Sequence, residues 1–115
     1  MANTFKVITK AGVTSADVIY TVAGSTTTII LGLMVGNTTS GAITSSVTLG
    51  TDTANRAGAN NETNQDVELL TTTPIPGNSS LELLSGNKVV METTDTLSVT
   101  GSGATDIALS VMEIT

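Results

Sequence analysis

Apolar and polar residues alternate along most of this chain with a period of two, in short runs separated by Gly, Asn, Ser and Pro. That is the pattern of half-buried β-strands. Thr4–Thr9 sets Phe5 and Val7 on one face, and Asp17–Ala23 alternates Val18, Tyr20 and Val22 with Ile19 and Thr21. Thr26–Asn37 is the longest run, and between Ile29 and Val35 it is apolar at both parities. It therefore reads as a central strand covered on both sides. Ala42–Gly50 alternates cleanly, and Asp66–Thr72 follows. Ser80–Leu84, Lys88–Glu92, Thr96–Thr100 and Asp106–Ile114 complete the set, joined by Ser85-Gly86-Asn87, Thr93-Thr94-Asp95 and Gly101-Ser102-Gly103. Loops this short predict a meander of antiparallel neighbours. No window repeats apolar residues with helical spacing, so no helix is predicted. The expected fold is all-β: a single antiparallel β-sandwich of eight or nine short strands, Ig-like or jelly-roll-like, forming one domain over residues 1–115.

Two stretches interrupt the pattern. Thr51–Gln65 runs 15 residues without a large apolar side chain and reads as a long polar loop. Thr73-Pro74-Ile75-Pro76-Gly77 carries both prolines of the chain. Because proline lacks an N–H, this segment is predicted to be a rigid crossover and not a ladder strand. Gly32, inside the longest strand, marks a bulge or a close backbone approach. The predicted core centres on Ile29, Ile30, Leu31, Leu33, Met34 and Val35, joined by Val18, Tyr20, Leu83, Val89, Leu97, Leu109 and Val111. Met34, Met91 and Met112 are read as core filler.

Composition strengthens the strand reading. Val, Ile and Thr together supply 42 of 115 residues, and such side chains suit a pleated, half-buried surface. The absences narrow function. The chain has no His and no Cys, so imidazole- and thiol-based nucleophile systems, disulfides and thiolate or imidazole metal sites are ruled out. Phe5 and Tyr20 are the only aromatics, and four Lys/Arg stand against ten Asp/Glu for a net charge of −6. That leaves neither a stacking platform nor a cationic face, and no nucleic-acid partner is expected. The longest apolar run is seven residues, against about 20 for a membrane helix, and Met1–Lys10 lacks the apolar core of a secretory signal. No membrane partner is expected. The Asn-x-Ser/Thr sequons at Asn37, Asn61 and Asn78 are what chance gives in so Asn- and Thr-rich a chain.

Only carboxylates remain for acid–base work. Asp66 and Glu68, like Glu92 and Asp95, fall on one strand or past one turn, where they read as a solvated face and not as a converging pair. Asp52, Glu62 and Asp66 with the loop asparagines could offer oxygen ligands to calcium, but no D-x-[DN]-x-[DN]-G spacing is present. No catalytic residue, metal or cofactor is expected, and the chain reads as no enzyme.

Pro76-Gly77-Asn78-Ser79-Ser80-Leu81 followed by Lys88–Val99, with the opening FKVITKAGV and the closing DIALSVMEI, resembles the small virion structural proteins of tailed bacteriophages, marine and cyanobacterial phages in particular. Thr94 stands where that family commonly has Gly before the Asp. The resemblance spans nearly the whole chain except Thr51–Gln65. It implies a capsid decoration (cement) protein, with a neck, tail or fibre adaptor as the alternative and a secreted adhesin or carbohydrate-binding module as the second. It further implies production in the host bacterial cytoplasm, a place in the virion, other virion proteins as partners (the major capsid protein first) and a homo-oligomer. The groups scarce elsewhere in the chain mark the candidate contacts with the particle: Phe5, Lys6 and Lys10 near the start, and Arg56, Asn60 and Asn61 in the polar loop.

Overall fold

The computed structural model describes residues 2–51, 64–84 and 88–115. Among them are nine strands and no helix: β1 Asn3–Val13, β2 Asp17–Thr21, β3 Thr27–Asn37, β4 Ile43–Thr51, β5 Gln65–Ile75, β6 Ser80–Leu83, β7 Val89–Met91, β8 Thr96–Gly101 and β9 Thr105–Ile114. They form two antiparallel sheets. Sheet A runs β1-β9-β3-β6, with β7 also on β3, and sheet B runs β2-β8-β4-β5. The β-sandwich expected from the alternation is the fold.

The predicted meander is not. Thr93–Asp95 and Gly101–Gly103 do not turn hairpins: each carries the chain from one sheet to the other. Three or four residues reach over 10 Å when extended, which suffices to span two packed sheets. A crossing and a hairpin therefore look alike in sequence. Ser85-Gly86-Asn87 lies outside the described residues, but β6 and β7 run in one direction along successive parts of β3, as two halves of one interrupted edge strand. The remaining pairs nest: β4 with β5, β3 with β6 and β7, β2 with β8, β1 with β9. The chain is one long antiparallel ribbon, rolled up so that β9 also meets β3 and β8 also meets β4. That is the jelly-roll arrangement of a double-sheet sandwich. Its open ends meet, since the Ala2 and Thr115 backbones exchange hydrogen bonds of 3.3 and 3.0 Å.

The core fills the space between the sheets. Ile30, Leu33 and Val35 of β3, Val47 of β4, Met91 of β7, Leu97 and Val99 of β8, and Leu109 and Val111 of β9 are all buried. Several expectations need correction. β3 is not covered on both sides: its burial alternates, and Met34, predicted to be in the core, is 45% exposed. Val18 is exposed as well, on the edge strand β2. Thr73–Ile75 is not a crossover but the end of β5, paired to Ile43–Ser45. β5 is the edge of sheet B, where a proline without an N–H leaves no ladder bond unmade. Thr51 and Gln65, the expected loop ends, are strand residues paired with each other. Gly32 does mark a bulge, with a register shift between Ile30 and Gly32.

Two short polar residues lock the crossings between the sheets, β3 to β4 and β7 to β8. Asn37 is buried, and its amide donates to the carbonyls of Gly41, Ile75 and Pro76 while its Oδ1 accepts from Thr39. Asp95, expected on a solvated face, is also fully buried; its carboxylate accepts from the Glu92 N–H at 3.0 Å. In the Pro76-Gly77-Asn78 turn a Cβ on Gly77 would collide with the Ser40 carbonyl, so the close approach there requires glycine.

Candidate interaction surface

In a strand, residues two apart share a face, and residues opposed in register across an antiparallel pair share it too. The outward side of sheet A can therefore be read row by row. Phe5, Met112, Ile29 and Val90 form one row across four strands. Val7, Ser110 and Gly32 form the next, and Thr9, Ala108, Met34 and Glu82 the third. Phe5 is 70% exposed, Val7 63%, Val90 49% and Met34 45%. Four of the six large apolar side chains exposed among the described residues thus lie on this one face. Its charges stand at the rim: Glu82 on β6, Lys88 and Glu92 flanking β7, and Asp106 at the far end of β9.

At the bulge the face is hollow. Gly32 lacks a side chain, and a Cβ placed there would meet nothing within 4 Å. Leu31, Met34, Ala108, Ser110 and Glu82 surround a depression of about 230 Å³. It lies where β6 ends its pairing at Leu33 and β7 begins at Ile30.

The outward side of sheet B is the opposite in character. Inward Ile43, Ser45, Val47 and Leu49 leave Thr44, Ser46 and Thr48 pointing out from β4, beside Thr96, Ser98 and Thr100 of β8. Asp66 and Glu68 stand exposed on the same side. One outer face of the sandwich is hydroxyl-rich and the other apolar.

The candidate contact residues near the chain start separate on this geometry. Phe5 joins the apolar face. Lys6 and Lys10 have the opposite parity and turn toward the open edge of the sandwich, where each meets a carboxylate. Lys6 Nζ lies 2.7 Å from Glu113 Oε1, and Lys10 Nζ lies 3.3 Å from Asp17 Oδ2. Tyr20 O–H donates to the other Glu113 oxygen at 2.6 Å and lies 2.7 Å from Thr28 Oγ1. Burial, then the bond to the Glu113 carboxylate, pushes the Tyr20 hydroxyl up to about 12. Hydrogen bonds from Lys6 and then Tyr20 hold Glu113 below the usual carboxylate range. Arg56, Asn60 and Asn61 lie outside the described residues, as do Asp52 and Glu62.

Sequence reasoning took the double apolarity of Ile29–Val35 as double burial within the fold. The same signal fits a strand with the core on one side and an exposed apolar surface on the other. It named Phe5 a candidate contact from its scarcity alone, and Phe5 is exposed on this face.

No protein-family model and no curated protein sequence matches this chain. In fold it is similar to a Bacillus endospore appendage, one of a family of disulfide-linked pili, with a TM-score of 0.51 and 14% identity over 99% of this chain and 87% of that one. It is also similar to a chain of the IBDV T13 viral particle, with a TM-score of 0.51 and 8% identity over 96% of this chain and 35% of that one. The likeness is one of fold; disulfide linkage is chemistry that a chain without cysteine cannot reproduce.

Proposed function

We propose that this chain is a non-enzymatic structural protein of a tailed-phage virion: a capsid decoration protein made in the host cytoplasm and assembled onto the particle, with the major capsid protein as partner. The observation that carries the reading is the apolar outer face of sheet A. A contiguous apolar surface of this extent on a small sandwich is one that assembly covers. Three further facts support it. The jelly roll is a recurrent building block of viral shells, the sequence resembles small virion proteins, and a chain without His or Cys lacks the common nucleophile–base pairs.

Quantitative mass spectrometry of purified particles tests the proposal. Copies in the hundreds per particle support capsid decoration. About a dozen would move the protein to the neck, tail or a fibre, and absence from washed particles would overturn a virion role.

A further inference from the structure

We infer that the apolar outer face of sheet A is covered by a second copy of this chain, in a two-fold dimer in which each Phe5 enters the hollow at Gly32 of its partner. The inference rests on reading that face as an assembly surface and commits to its occupant. The face carries both halves of a self-complementary contact. Phe5 projects from β1 at one edge, 70% exposed and without apolar cover. The Gly32 hollow opens between β9, β3 and β6 on the same side, with Leu31, Met34 and Ala108 as apolar walls and with Ser110 and, at the β6 rim, Glu82 completing its lining. Its volume of about 230 Å³ exceeds the roughly 150 Å³ in which a buried apolar cavity takes up a benzene ring.

Symmetry makes the fit reciprocal. In an isologous pair, if residue i of one copy meets j of the other, j also meets i. The two-fold axis that exchanges Phe5 with the hollow lies in the plane of the face and crosses β9 close to Ser110. Val7 and Gly32 flank that point across the strands, and Met112 and Ala108 flank it along β9, so the surface where the two faces meet is uncharged and largely apolar. Size agrees as well. Four ranks of strand at about 4.8 Å and some ten residues at about 3.3 Å give roughly 600 Å² in plan. Side-chain relief brings this toward the ~800 Å² per partner of a standard interface. An aromatic anchor seated in a pocket near the centre, with a charged rim, is how such interfaces distribute their energy. The uncharged middle of the face also lets two copies meet although each carries a net charge of −6.

The test uses the full chain alone, labelled with 4-fluorophenylalanine. The sequence holds a single Phe, so one ¹⁹F resonance reports on Phe5. Sedimentation equilibrium over a concentration series should give twice the chain mass, and the ¹⁹F signal should shift along the same isotherm. Phe5→Ala, which removes the projecting ring, and Gly32→Met, which fills the hollow, should each weaken association at least about tenfold. Both sites are on the surface, and circular dichroism verifies that each variant keeps its fold. A monomer at every concentration overturns the inference. So does a dimer whose ¹⁹F signal stays at its monomer position or which tolerates Gly32→Met, because the copies would then meet elsewhere, such as along the free edge of β1. The virion proposal is tested separately on particles: absence from them with a Phe5-dependent dimer removes the location and keeps the interface.

Discussion

The hydroxyl of Tyr20 lies between Thr28 and Glu113, and Lys6 closes the cluster from the edge strand. Glu113, held below its ordinary value, adds stability that is present above the unfolded carboxylate range and lost as pH falls through the folded value. Tyr20, raised to about 12, adds stability that is fully present below its unfolded value near 10 and lost as pH rises through about 12. Urea denaturation should therefore show a plateau from about pH 5 to about pH 9 and a fall on either side. Glu113→Gln should flatten the acid limb. Because Tyr20 is the only Tyr and there is no Trp, phenolate absorbance reads it directly; a folded-state midpoint near 10 instead of 12 would contradict the cluster. A second residue-scale consequence follows from Thr94, whose φ of +72° places a β-branched side chain in the left-handed region. That costs about 1–2 kcal/mol. Thr94→Gly relieves it but adds about 0.5–1 kcal/mol of unfolded-state entropy. The net gain should be about 0.5–1 kcal/mol, seen as a rise of a few degrees in melting temperature; no rise would mean that the turn holds Thr94 without strain. The sequence pointed to this position only through the expected resemblance, which places Gly before the Asp. It gave no sign that Asn37, Asp95 and Glu113 are spent inside the fold, because a short polar residue looks the same whether it faces water or caps a turn.

At the scale of the elements, alternation placed most strands to within two residues, because side-chain parity is a local property that burial on one face imposes. The misses have local causes. β1 extends to Val13 through a register shift that includes Gly12 at φ +70°, a conformation that apolar spacing does not reveal. β5 keeps Pro74 because it lies at an edge. β1 itself is integral to the sandwich. It pairs with β9 from Asn3 to Lys10 and again at Val13, and Ile8 packs against the core from the edge. Deleting residues 2–10 should strip this strand and uncover the β9 edge beside Leu109 and Val111, with loss of soluble, cooperatively folding protein. A truncated chain with an unfolding transition like that of the full chain would show β1 to be a detachable arm.

On the scale of the molecule, connectivity was the part least legible in sequence. Nested pairing brings β1 to β9 and β2 to β8 across most of the chain's length, and no local pattern encodes such distant partners. The polarity of the two outer faces follows directly from the strand order, and it became readable only once the register of sheet A aligned Phe5, Met112, Ile29 and Val90 in one row. The meeting of Ala2 with Thr115 at the open end of the ribbon has a mechanical consequence. Antiparallel ladder bonds run perpendicular to their strands. Tension applied between these two residues therefore acts along the bonds joining β1 to β9 and breaks them one after another, as a zipper opens. A load pressed onto the sheet faces is instead shared by both sheets and the packed side chains between them. The sandwich resists compression across its faces and yields most easily when Ala2 and Thr115 are drawn apart.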